Sequence, residues 1–157
     1  MWWKRGMQGP KPINTGGTGR MSRKGRKRNA PEHVPGSRAE TGKQGEDMAL
    51  EYLLQLEYRL LERNWRCRHK EVDLIMEAKD GLHIVEVRTR KEPVAVEPEL
   101  TVDRCKQHNL EAAARAWLRM KGERRQVHFD IMSIVLDSNG KLLRRRFIQD
   151  AFLPLAQ

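Results

Sequence analysis

Residues 71–90, which read EVDLIMEAKDGLHIVEVRTR, decide the fold of this chain. Two runs rich in aliphatic and β-branched residues, 71–77 and 82–90, lie on either side of Lys79-Asp80-Gly81. Asp-Gly between such runs is a strong signal for a tight turn, and the alternation in the second run is typical of a strand. The stretch therefore predicts an antiparallel β-hairpin.

Acidic residues interrupt this apolar hairpin at Asp73 and Glu86, where the burial of a charge needs compensation. If Asp80-Gly81 forms the two-residue turn, Asp73 is expected directly opposite Arg88. Glu86 is then the diagonal neighbour of Asp73, about 7 to 8 Å away between backbones. The hairpin thus predicts that Asp73, Glu86 and Arg88 share one face.

Two interpretations of this charged face stand side by side. Carboxylates at such a separation can bind one hard cation such as Mg²⁺, which lowers the pKa of a bound water and neutralises charge on a phosphodiester. Arg88 would then hold the phosphate. Alternatively, Arg88 neutralises Asp73 and Glu86 in a partly buried ion cluster without metal or reaction, and the spacing alone favours this second interpretation.

The pattern outside the hairpin predicts two helices and three further strands. Apolar residues at helical spacing predict helices over 43–57 and 102–121, the second with Thr101 as N-cap. Strands are expected over 58–67, 127–136 and 142–149, the last two joined by a turn at Ser138-Asn139-Gly140. The resulting order, αβββαββ, predicts an α/β fold with helices packed on a central sheet.

The positive charge is concentrated at the N-terminus. Residues 1–40 carry 10 Lys and Arg against 2 Glu, whereas the other 117 residues carry 21 basic and 19 acidic side chains. Glycine, proline and the run Arg23-Lys24-Gly25-Arg26-Lys27-Arg28, without apolar periodicity, predict a disordered tail over 1–40 and a folded domain over 41–157. A basic arm binds phosphate backbones without sequence preference. A solvated leader without a role, or a start at Met21, is an equal alternative.

Composition excludes several classes of protein. The length of 157 residues favours one folded domain with a real core. No run of about 18 apolar residues occurs, and the first residues lack the apolar stretch of a secretory signal, so we expect neither a membrane partner nor export. Cys67 and Cys105 lack a CxxC pattern and are expected as reduced thiols, which favours the cytoplasm.

Several stretches together resemble the bacterial YraN family. They are Gly45-Glu46-Asp47-Met48-Ala49, Glu62-Arg63-Asn64-Trp65-Arg66-Cys67-Arg68, Glu71-Val72-Asp73-Leu74-Ile75, Val85-Glu86-Val87-Arg88-Thr89-Arg90, Lys106-Gln107 and Phe129-Asp130-Ile131. The resemblance covers roughly residues 42–152. It implies a restriction-endonuclease-like fold with an αβββαβ core and a mixed sheet, similar to Holliday-junction resolvases and other nucleases with a PD-(D/E)xK site.

Carried over residue by residue, the resemblance makes Asp73 and Glu86 ligands of Mg²⁺ or Mn²⁺. It implies the Val87 carbonyl as a third ligand and Glu46 as a further acid. Arg88 takes the place of the lysine that is usual in the family. Because arginine cannot act as a general base but can bind phosphate through its fork of donors, this departure leaves catalysis open.

Other polar and aromatic residues have structural alternatives. Glu46 is slightly better explained as an exposed first-turn acid that favours the helix dipole, and for Lys106 a solvated helix residue is favoured over a phosphate contact. Asp130 is expected to bind local backbone or an arginine. Trp65 and Trp117 are expected in the core. Four histidines show no metal-ligand spacing and are assigned no role: His69, His83, His108 and His128.

Three functional hypotheses follow. The first is a Mg²⁺-dependent endonuclease acting on DNA, branched DNA included, and able to work as a homodimer. The second is a non-catalytic nucleic-acid-binding module on the same fold, whose tail, Arg124-Arg125 and Arg144-Arg145-Arg146 bind phosphates. The third is an interaction partner of another DNA-processing protein.

Overall fold

The computed structural model describes residues 37–154, which form a mixed α/β fold. The elements are α1 (Arg38–Gln55), β1 (Arg59–Cys67), β2 (Lys70–Ala78), β3 (Gly81–Lys91), a short 3₁₀ helix (Pro98–Thr101), α2 (Arg104–Lys121), β4 (Val127–Leu136) and β5 (Leu142–Ile148). The predicted order of two helices and five strands is confirmed. The predicted tail lies almost wholly outside the described residues, so its disorder and the domain boundary stay predictions.

One mixed sheet of five strands organises residues 37–154. The strands lie in chain order, β1-β2-β3-β4-β5, and all neighbours are antiparallel except β3 and β4. Parallel neighbours require a crossover, which here contains α2. Neither helix in this part of the chain is long and apolar enough to cross a membrane.

The register of the β2–β3 hairpin differs by two residues from the predicted one. Ala78 pairs with Gly81 and Leu74 with Val85, so Arg88 is not opposite Asp73. The physical reason is Gly81, which begins β3 instead of completing the turn. Its φ is 153°, and a Cβ there would lie 2.6 Å from a backbone carbonyl of the segment that leads into β4. A shift of two preserves the faces of both strands.

The two helices cover opposite faces of the sheet. On one face α1 buries Ala49 and Leu53 among residues of β2, β3 and β4. On the other, α2 buries Leu110 and Trp117, which pack with Trp65 and β-strand residues. Both tryptophans are therefore in the core, as predicted.

A glycine brings α1 into close contact with β3. A Cβ on Gly45 would lie 1.8 Å from the Thr89 hydroxyl oxygen, so only glycine permits this approach.

Helix α1 begins five residues earlier than predicted, at Arg38, because the Ser37 side chain accepts a hydrogen bond from the Glu40 amide at 3.2 Å.

The predicted start of α2 is also corrected. Asp103, not Thr101, is the N-cap, since its side chain accepts from the Lys106 amide at 2.8 Å. Thr101 instead ends the 3₁₀ helix, where its hydroxyl donates to the Pro98 carbonyl at 2.6 Å. The later start puts Lys106 in the first turn of α2.

Candidate active site

The candidate site lies where the pairing of β2 with β3 ends. The last backbone pair on this side of the hairpin is Leu74 with Val85. One residue further, the side chain of Asp73 replaces the backbone as acceptor, and the Val87 amide donates to its Oδ2 at 2.8 Å. Glu86 is close enough for its charge to raise the pKa of Asp73, and Arg88 contacts Glu86, so the structure brings the three predicted side chains together.

Glu86 is a buried carboxylate compensated by two cations. Its side chain is only 3% exposed. Arg88 Nη2 lies 3.2 Å from Oε1, and Lys106 Nζ lies 2.8 Å from Oε2. Because an unpaired buried carboxylate is strongly unfavourable, these two cations compensate the burial of Glu86.

The pKa of Asp73 lies above the ordinary value of an aspartate. Burial and the neighbouring charge of Glu86 raise the pKa of Asp73 to about 7, against the lowering effects of the Val87 amide and Lys106. A pair of carboxylates that disfavours double ionisation is typical of sites that hold a cation or a proton.

The donor set fits a hard divalent cation. Glu86 Oε2 is buried and, although Lys106 Nζ is near, accepts no well-aligned hydrogen bond among residues 37–154. Such an oxygen, beside a second carboxylate, matches the ligands that Mg²⁺ prefers. Asp73 and Glu86 would hold the ion. For Val87 the observed contact is its amide with Asp73, and ligation by its carbonyl stays a prediction.

Glu46 lies near this pair but is bound elsewhere. Its Oε2 accepts from Arg63 Nη2 at 3.2 Å and from Asn64 Nδ2 at 3.0 Å. Its charge contributes to the raised pKa of Asp73, so it acts on the site through space. Within residues 37–154, Glu46 does not join Asp73 and Glu86 in a three-donor group of the size that holds a metal ion.

Lys106 is more buried and more closely paired with the site than predicted. The favoured interpretation was a solvated helix residue, but its side chain is 25% exposed and its ammonium contacts Glu86. No local pattern in the sequence indicates this contact, because it depends on how the α2 crossover packs on the sheet. The ammonium beside Glu86 thus comes from α2.

Asp130 lies on the other face of the sheet. It pairs with Val85, one residue before Glu86, and adjacent residues of a strand point to opposite faces. Its oxygens accept from the Asp150 amide at 2.9 Å and contact His83 Nδ1 at 2.7 Å. Asp130 thus binds backbone as expected, but that of the segment after β5 rather than local backbone, and among residues 37–154 its other partner is a histidine rather than an arginine.

The three β5 arginines expected to bind phosphates are paired with acidic residues or an aromatic ring. Arg144 Nη2 lies 2.5 Å from Glu97, and Arg146 Nη1 lies 2.5 Å from Glu99. Arg145 stacks over Tyr52, with 3.6 Å from its guanidinium carbon to the ring centroid. This strand is therefore largely neutralised by the protein itself.

Residues 45–134 match the model of the uncharacterised protein family UPF0102. The chain belongs to this family. The UPF0102 span contains every residue of the candidate site: Glu46, Asp73, Glu86, Val87, Arg88 and Lys106. The resemblance to the YraN family, another designation of UPF0102, is thereby confirmed.

Curated UPF0102 proteins from three bacteria illustrate the extent of the similarity. The Geobacter sulfurreducens protein is 43% identical over 98 residues, 60% of this chain and 75% of the relative. The Dictyoglomus thermophilum protein is 36% identical over 114 residues, 72% and 97%. The Porphyromonas gingivalis protein is 34% identical over 111 residues, 71% and 82%. UPF0102 membership gives the chain a family and specifies no reaction.

Proposed function

We propose that this chain is a metal-dependent endonuclease with a restriction-endonuclease-like fold that hydrolyses phosphodiester bonds in DNA. The observation that carries the proposal is the Asp73–Glu86 carboxylate pair, set at the end of the β2–β3 pairing with the Lys106 amine 2.8 Å from Glu86. Two acids and one amine at such a point are the parts that phosphodiester hydrolysis requires.

The proposed ligands are Asp73 and Glu86, and the proposed ion is Mg²⁺ or Mn²⁺. When bound, such an ion supplies a water of lowered pKa and neutralises phosphate charge. The Val87 amide fixes the Asp73 carboxylate, while burial fixes Glu86, so neither acid must be ordered when substrate arrives.

The two cations have separate proposed roles. Arg88 cannot accept a proton, but its buried Nε has no acceptor among residues 37–154 and is able to donate to a phosphate oxygen. Lys106, as an ammonium, stabilises negative charge that develops at the scissile phosphate. Together they replace the single lysine of the usual motif.

A non-catalytic nucleic-acid-binding module is the second candidate. The observation in its favour is the same pair of contacts to Glu86, because Lys106 and Arg88 already neutralise that carboxylate in the absence of any ion. In that case binding relies on the basic tail. Deleting residues 1–36 should then weaken DNA binding and flatten its dependence on salt.

Cleavage of a labelled four-way junction, a flap and a plain duplex tests the proposal. The reactions contain Mg²⁺, Mn²⁺ or EDTA, and compare the full chain with Asp73→Asn. Glu71→Gln is the matched control, because Glu71 lies on the same strand, is exposed and contacts Arg66 rather than the site.

The endonuclease predicts metal-dependent cutting that is lost in Asp73→Asn and retained in Glu71→Gln. Binding without cutting, unaffected by EDTA, would overturn it and favour the module. Cutting by the Asp73→Asn variant would overturn the assignment of the site.

A further inference from the structure

A second cluster of ligand-type side chains lies on the α1 face of the sheet, away from Glu86. It consists of Asp80 in the β2–β3 turn, His83 on β3 and His128 on β4. The two histidines are direct partners in the parallel β3–β4 register. One donor atom from each of the three residues lies within 4.8 Å of the others, and residues 37–154 contain no other such group of three.

Each histidine is oriented by a carboxylate. Nδ1 of His83 lies 2.7 Å from Asp130 Oδ2, and Nδ1 of His128 lies 2.8 Å from Asp150 Oδ1. The Nε2 atoms are left on the side of Asp80, at 3.0 and 4.0 Å from its oxygens. A histidine that ligates a metal almost always contacts a carboxylate, a carbonyl or water through its other ring nitrogen in this way.

The ring of His128 has an unmet polar atom. The side chain is 9% exposed, and its Nε2 is buried without a hydrogen-bond partner among residues 37–154. Buried nitrogens are rarely left so, because the loss of hydration is unfavourable. His83 lies beside it, with the two rings stacked at 4.6 Å and 12°. The unpartnered atom therefore points to a ligand from solution.

The surroundings make the site both rigid and accessible. Asp130 is fully buried and also accepts from the Asp150 amide at 2.9 Å, which ties the segment after β5 to β4. Asp80, by contrast, is 56% exposed and lies on a turn. Two buried imidazoles and one exposed carboxylate provide an entry path for an ion.

We propose that Asp80, His83 and His128 form a site for a divalent transition-metal ion, Zn²⁺ foremost. Two imidazoles and a carboxylate suit Zn²⁺, whereas Mg²⁺ prefers an all-oxygen set such as Asp73 and Glu86. Three protein ligands leave the fourth tetrahedral position to water. On binding, the His83 Nε2 proton passes to solvent, and the ion takes its place beside Asp80.

The sequence assigns no role to His83 and His128, and this proposal gives them one. Their spacing along the chain is not that of metal ligands, but the parallel pairing of β3 with β4 puts them side by side. His69 and His108 are not part of the cluster. The site is independent of the proposed nuclease, so each proposal can fail while the other stands.

Calorimetric titration of the full, metal-free chain with Zn²⁺ tests the site, together with visible absorption after Co²⁺ substitution. We expect one site per chain that excess Mg²⁺ does not displace, tetrahedral Co²⁺ bands, and a Tm raised by Zn²⁺. His128→Gln should abolish this site. Asp80→Asn, a change on an exposed turn that leaves the core intact, should weaken it at least about 10-fold.

Asp150→Asn probes the orienting carboxylate. Asparagine tolerates the positive φ of 46° at this position, so the backbone is preserved, and affinity should fall about 10- to 100-fold. Cys105→Ser and His108→Gln are matched controls at exposed residues and should leave binding unchanged. Absence of Zn²⁺ binding, or binding of equal affinity and stoichiometry in Asp80→Asn and His128→Gln, would overturn the proposal.

Discussion

Strand β3 carries an ionisable cluster on each face, and the two are compensated in opposite ways. On the α2 face the buried Glu86 is neutralised by cations that the chain itself supplies, Lys106 and Arg88. On the α1 face the buried groups are imidazoles that contact carboxylates. His83 contacts Asp130, and His128 contacts Asp150. One cluster is rich in oxygen ligands and the other in nitrogen ligands, so the two proposed sites would select different classes of cation.

The largest effect is expected from removing the cation on the α2 face. Lys106→Met leaves Glu86 buried with Arg88 alone, and losing one partner of a buried pair costs about 3 kcal/mol of unfolding free energy. Urea denaturation measures this. The double variant Glu86→Gln with Lys106→Met should recover much of the loss. A single variant as stable as the wild type would show that Lys106 does not compensate Glu86.

A smaller loss is expected on the α1 face. Asp130→Asn removes the charged acceptor for His83 but keeps the size of a side chain that is fully buried, so we expect about 2 kcal/mol. Glu51→Gln, at an exposed position of α1, is the control. If the urea midpoint of Asp130→Asn equals that of the control, the acid does not hold the imidazole and the contrast between the faces fails.

Glu99 extends the comparison to a carboxylate outside both clusters. Burial raises its pKa, but the Ser133 hydroxyl and Arg146 outweigh burial, so the pKa lies below its ordinary value of 4.5. The stabilisation is fully present above that value and is lost as pH falls through the folded pKa.

We expect Glu99→Gln to cost about 1 kcal/mol at neutral pH. The stability difference from the wild type should shrink in acid. Urea denaturation between about pH 3 and pH 6 tests it. A difference that is constant across this range would contradict the lowered pKa.

The smallest effect is expected at the surface. Arg144→Ala breaks an ion pair with Glu97 whose partners are 49% and 41% exposed, and such pairs contribute about 0.5 kcal/mol or less. Thermal unfolding at low and high salt measures it. A loss comparable to that of Lys106→Met would mean that exposure does not separate the buried clusters from the surface pairs.

The local sequence was sufficient for the elements and for one cluster. Period-two alternation and the Asp-Gly turn located β2 and β3, and a register error of two residues leaves each side chain on its face, so Asp73 and Glu86 were still brought together. The error arose because Gly81 is required by a close backbone approach from the segment before β4, a tertiary contact that turn propensity does not contain.

The remaining site residues depend on the crossover. Lys106 reaches Glu86 because the α2 crossover packs on that face of the sheet, and His83 meets His128 because β3 and β4 pair in parallel. Neither fact has a local pattern in the sequence. The predicted first residues of both helices were wrong for a simpler reason. Asp103 and Ser37 accept the cap hydrogen bonds, and apolar periodicity does not indicate capping residues.

The hydrogen bond from the Val87 amide to Asp73 has a spectroscopic consequence. It is donated to a carboxylate oxygen rather than to a neighbouring strand, at 2.8 Å. Any cation that draws this oxygen away lengthens the bond, so the Val87 amide should change its chemical shift and exchange faster with deuterium. One backbone nucleus thus reports occupancy of the carboxylate pair, with no substrate and no turnover.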